Sequence, residues 1–166
     1  MSLVFSFILG LTVLTACSDD DSDLWSGANS SFSVVGGTQC KISEASISYS
    51  KNGYEDLLIP PNAVCSIDFF YDEPYHMEFY IYYASDYSKL KPGTDVSENV
   101  LILGFSPLFF IECPSYKELS GTVIVKESTQ KYVVLEFKNY KFEKYTSSRS
   151  QKYKLDGIVK FVDYNA

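Results

Sequence analysis

The stretch Met77-Glu78-Phe79-Tyr80-Ile81-Tyr82-Tyr83 decides the fold class. In an extended chain Met77, Phe79, Ile81 and Tyr83 share one face, while Glu78, Tyr80 and Tyr82 share the other. This period of two reads as a strand with one face buried. The same alternation appears at 122–126 and 132–137, on either side of Glu127-Ser128-Thr129-Gln130, and the pair reads as a hairpin. Further on, Tyr153, Leu155, Val159 and Phe161 form an apolar row opposite Lys152, Lys154, Asp156 and Lys160. Gly157 interrupts that row on its apolar side, which marks a bulge or a close backbone approach.

Working outward, weaker strands are expected at 39–49, 65–71, 100–103 and 108–113. Turn chemistry separates the strands at Asn52-Gly53, Pro60-Pro61-Asn62, Asp72-Glu73-Pro74, Pro92-Gly93-Thr94 and 144–150. Nowhere do apolar residues hold a helical period for a full helix. The best helical candidate is one turn at 115–119, where Ser115 and Glu118 have the spacing of a capping box and Gly121 follows. Some eight or nine short strands predict an all-β protein, a single antiparallel β-sandwich over residues 32–166, with a small lipocalin-like β-barrel as the alternative.

The N-terminal end reads differently. Residues 3–16 are apolar apart from Ser6, Gly10, Thr12 and Thr15, and Cys17 then leads into Ser18-Asp19-Asp20-Asp21-Ser22-Asp23. A bilayer span needs about 20 apolar residues, so the run is too short to cross and has the length of a secretory h-region. Leu14-Thr15-Ala16-Cys17 resembles a bacterial lipobox. The resemblance implies a signal peptide at 1–16, cleavage before Cys17, and acylation of the Cys17 thiol, giving a membrane lipid anchor. Each buried methylene contributes about 0.8 kcal/mol, and two or more chains anchor durably. The aspartate run is similar to the acidic segment of surface-exported lipoproteins of the Bacteroidota. It implies a flexible tether over 17–31 and an outer-membrane, cell-surface address, with a periplasm-facing body as the alternative. Pro92-Gly93-Thr94, Ser120-Gly121-Thr122-Val123-Ile124-Val125, and Leu155-Asp156-Gly157 with Phe161 loosely resemble uncharacterised β-sandwich lipoproteins of the same phylum. This last likeness implies a fold and no activity.

Composition narrows the functions. With 166 residues, 46% apolar and 21% charged, the chain has the make-up of one ordinary domain. Residues 17–166 suffice to bury about two-thirds of the unfolded surface without metals or many disulfides. Cys40, Cys65 and Cys113 remain once Cys17 carries lipid; one disulfide is expected, its pairing open, and their wide spacing does not suit zinc. Net charge is −7 at a pI near 4.7, although residues 117–166 carry +4. The scattered lysines read as a solvated sheet face, and the acidic whole argues against a nucleic-acid partner.

No nucleophile elbow, phosphate-cradling loop, EF-hand or dinucleotide fingerprint is present, so no catalytic residue, no metal and no cofactor is expected. The one place where carboxylates and an imidazole cluster is Asp68 to His76, which includes Asp72, Glu73 and the single histidine. Asp72 and Glu73 with His76 could form an oxygen-rich cation site or an acid-oriented base, and this supports the alternative of a small hydrolase or cation-dependent enzyme. The unusual feature is tyrosine, 14 in the chain, with Tyr80 and Tyr82 on the face opposite the core. A flat apolar ring with a polar tip suits sugar stacking and protein contact. Tyr80 and Tyr82, with the Asp72-Glu73 loop, are therefore the ligand-binding candidates of a non-enzymatic lipoprotein facing a glycan or protein partner. An adhesin or assembly subunit pairing through an open strand edge is a further alternative.

Overall fold

The computed structural model describes residues 32–34, 38–50, 60–70, 74–84, 86–107, 115–147 and 149–166. Eight strands follow in chain order: β1 (Phe32–Val34), β2 (Thr38–Ser50), β3 (Asn62–Phe70), β4 (Pro74–Tyr82), β5 (Val100–Pro107), β6 (Ser115–Ser128), β7 (Tyr132–Tyr145) and β8 (Ser150–Val162). They form one sheet in the order β5-β4-β3-β2-β1-β8-β7-β6. All of these neighbours run antiparallel. Where the short β1 ends, β2 and β8 meet directly in parallel at Ser46 and Val162. The sheet curls until it is nearly closed into a barrel. The all-β expectation holds, in its barrel form.

Alternation builds the core. Ala63, Cys65, Ile67 and Phe69 of β3 point inward, as do Met77, Phe79 and Ile81 of β4 and Val133, Leu135 and Phe137 of β7. Two aromatic clusters fill the interior. Phe105 packs against Phe69, Tyr75, Phe142 and Tyr153, at ring separations of 6.0, 5.6, 5.2 and 4.6 Å. Phe79 meets Phe137 and Phe161 edge-on at 6.0 and 5.8 Å. Each fully buried side chain of this kind contributes about 1.5–3 kcal/mol.

The open joint between β5 and β6 is stitched by side chains rather than by a strand ladder. Glu118 accepts the Ile102 N–H at 3.0 Å, and the Tyr116 hydroxyl accepts the Phe105 N–H at 2.7 Å. Higher on β6, the segment before β5 supplies a short backbone pairing. Val96 N–H donates to the Val123 carbonyl at 2.9 Å, and Val125 N–H to the Thr94 carbonyl at 2.9 Å. This overturns the helical turn expected at 115–119. Ser115, Tyr116 and Lys117 instead pair with Tyr145, Lys144 and Glu143. Glu118 is spent on the seam and not on capping a helix.

A bend crosses β6, β7 and β8. Two β7 residues, Lys138 and Asn139, lie where β8 offers only Asp156, and Gly157 stands next to this bulge with φ +136°, as its place in the apolar row predicts. Asn139 takes φ +48° and donates its N–H to Asp156 Oδ1 at 2.7 Å. Gly121 has φ +106° and lies so close that a Cβ there would meet the Asn139 carbonyl oxygen at 2.2 Å.

Candidate functional site

Strand register sets the outer face of β3, β4 and β5. Tyr80 stands between Val64 and Leu101, and Tyr82 lies opposite Asn62. One turn of the pleat further along, Glu78 lies between Ser66 and Gly104, and His76 lies opposite Asp68. The inward neighbours Met77, Phe79 and Ile81 are fully buried, which fixes the direction in which the outer residues point. Tyr80 and Tyr82 are half-buried, with ring centroids 5.9 Å apart at 60°. Partial burial and then the Glu118 charge raise the Tyr82 phenol above its ordinary value, so it stays a neutral donor. Tyr83 does not join the core face as the alternation predicts. Its backbone takes φ +62° just past the end of β4, which turns the ring outward to 66% exposure.

The sequence grouped His76 with Asp72 and Glu73; both acids lie outside the described residues. The described partners of His76 are instead Asp68 and Glu78. His76 Nδ1 stands 2.6 Å from Asp68 Oδ1, and Nε2 stands 3.8 Å from Glu78 Oε2. The Glu78 carboxylate and then Asp68 outweigh partial burial and push the imidazole up to about 9. At neutral pH His76 is therefore a cation whose Nδ1–H donates to Asp68 while Glu78 stands as a second counter-charge beside Nε2. A base must hold a free lone pair, and a protonated ring has none. Asp68 could have been found by counting outward from paired Phe70 and Pro74, and Glu78 by counting two residues along the same face of β4.

Among the described residues, no group of three or more His, Cys, Asp or Glu side chains could hold a metal ion. Cys65 is a free thiol inside the barrel, and burial pushes its pKa up, out of the reactive range. Cys40 is also buried. Cys17 and Cys113 lie outside the described residues. A shallow cleft of about 450 Å³ opens at the far end of β7 and β8, where Lys160 caps the Tyr132 ring at 3.7 Å. That cleft contains neither His76 nor the tyrosine pair. No helix among the described residues is long and apolar enough to cross a membrane.

The chain matches no protein-family model, no curated protein and no solved structure.

Proposed function

We propose that this chain is a lipid-anchored, surface-exposed, non-enzymatic binding protein that contacts a glycan or protein partner through the outer face of β4. The observation that carries the reading is the Tyr80–Tyr82 pair, set edge to face on the outside of the barrel wall, with Tyr80 between the aliphatic Val64 and Leu101. A stacking platform needs flat rings held in place before the ligand arrives, because ordering them on binding would cost affinity. Below the rings, Asp68, His76 and Glu78 supply donors and acceptors fixed to one another. These suit the hydroxyls of a sugar or the polar groups of a peptide chain. The enzyme alternative draws no support from His76, whose ring is held charged. The assembly alternative needs an open edge, whereas the outer N–H groups of Val100, Ile102 and Phe105 are already satisfied and Pro107 has none.

The anchor is Cys17, through the lipobox it closes. Mass spectrometry of the protein from its native membrane tests it, with a diacylglyceryl thioether at Cys17 expected and an unmodified leader contradicting it. The platform is tested by glycan-array and protein capture with the wild type and Tyr80→Ala/Tyr82→Ala. Capture should fall at least tenfold, since each stacked ring contributes about 1 kcal/mol. Undiminished capture by the folded double variant removes the tyrosine face from the account.

A further inference from the structure

The wall formed by β6, β7 and β8 carries a second set of outward side chains. Tyr140, Phe142 and Leu155 are buried and Tyr153 packs against the core, so Lys141, Lys152 and Lys154 between them face solvent. Lys117 joins them from β6, because it pairs with Glu143, which in turn pairs with Lys152. The acids of this wall are already engaged. Glu136 Oε2 takes Lys126 and Lys138, each at 3.2 Å. Asp156 takes Lys154 at 2.7 Å. Glu143 accepts the Tyr145 hydroxyl at 2.7 Å, and its carboxyl is held below the usual range by that bond, with Lys152 and Lys117 adding to the effect.

What remains is a surplus of positive charge on a chain whose net charge is −7. Within it Lys141 stands directly opposite Lys154 in the ladder. Like charges at such a position repel; Asp156 offsets Lys154 at 2.7 Å, while Lys141 makes no ion pair among the described residues. An anion laid between them would turn that repulsion into attraction.

We infer that Lys117, Lys141, Lys152 and Lys154 form a binding strip for a linear acidic polysaccharide, a chain of carboxylated or sulfated sugars. Adjacent strands lie about 4.8 Å apart and alternate residues of one strand about 6.7 Å apart, so the strip presents ammonium groups at the scale of successive sugar rings. A polymer can follow the lysines past Glu136, meeting only Glu143 between Lys117 and Lys152 and Asp156 beside Lys154, whereas a plane of lipid headgroups must face all three acids together. Leu119, at 40% exposure, is the one large apolar side chain exposed on this wall among the described residues, too little to enter hydrocarbon. A negative plane would also feel the repulsion of the acidic remainder, which salt screens from a ligand confined to the strip. This site is independent of the tyrosine platform, which lies on β4.

The test measures binding of the full-length protein to dextran sulfate and to polygalacturonate, with uncharged dextran as control, at low and at high salt. Binding to both anionic polymers that weakens steeply with salt is expected, with none to dextran. Lys141→Gln/Lys154→Gln should weaken capture about tenfold, and Lys117→Gln/Lys152→Gln similarly. Lys126→Gln, which removes a lysine that shares Glu136 with Lys138 and lies outside the strip, should change it about twofold at most. Tyr80→Ala/Tyr82→Ala should leave it unchanged, so the two sites fail separately. The inference is overturned if neither polymer binds at low salt, or if both lysine pairs can be replaced without loss. Capture by phosphatidylglycerol vesicles, but not by phosphatidylcholine vesicles or either polymer, would overturn it in favour of a lipid surface.

Discussion

At the scale of single residues, the environment of His76 keeps a histidine charged through neutral pH. The folded ring holds its proton up to about 9 against an ordinary value of 6.5. A pKa raised on folding means that the native state binds the proton more tightly than the unfolded chain does. Its contribution to stability is therefore complete below pH 6.5 and is lost as pH rises through about 9. The ring is about one-third exposed, so solvent screening keeps the contribution small. Because the chain has one histidine, its imidazole resonances can be followed without ambiguity. An NMR titration should show a midpoint well above 6.5, and Glu78→Gln or Asp68→Asn should bring it down. A wild-type midpoint at the ordinary value would contradict the arrangement.

At the scale of elements, two features hold the sheet in its curve, and each can be broken by one substitution. At the seam, Tyr116→Phe removes the acceptor of the Phe105 N–H while keeping the ring near Phe142. An unsatisfied buried donor costs about 1–3 kcal/mol. Hydrogen exchange should show the Phe105 amide losing protection before the β7–β8 ladder does, and equal protection in both proteins would mean that the seam does not depend on the hydroxyl. At the bend, Gly121→Ala places a methyl group on the Asn139 backbone at a positive φ. It should cost about 3 kcal/mol or more in urea melts. Gly93→Ala, with φ +85° and nothing within 4 Å, should lose only about 1 kcal/mol.

The same scale explains how much could be read in advance. β4, β7 and β8 announced themselves because each buries one face and so keeps a period of two. β1 could not, because three residues are too few to show a period. The seam escaped because Ser115 and Glu118 have a local use in a helix cap and a distant use across the barrel, and only the fold decides between them. At the candidate site the tyrosine face was legible from alternation alone. The partners of His76 were not, because Asp72 and Glu73 suggest a loop cluster, while a strand sets His76 beside Glu78 two residues along the same face and the sheet brings Asp68 opposite it.

At the scale of the whole molecule, one continuous wall gives the protein two chemically distinct exteriors. β3 to β5 carry rings and an acid-flanked cation, and β6 to β8 carry lysines. The wall is completed by β1, which lies between β2 and β8, with Phe32 opposite both Cys40 and Gly157. Ser33 reaches the Asp156 carbonyl at 3.3 Å across a separation of 123 positions. That wiring sets a timetable for biogenesis. As the ribosome delivers the polypeptide from its amino end, β1 meets β2 at once, but its other neighbour, β8, arrives nearly last, and until then the cylinder lacks the joint that finishes it. A nascent chain wired this way cannot complete its sheet until almost all of the body has been made.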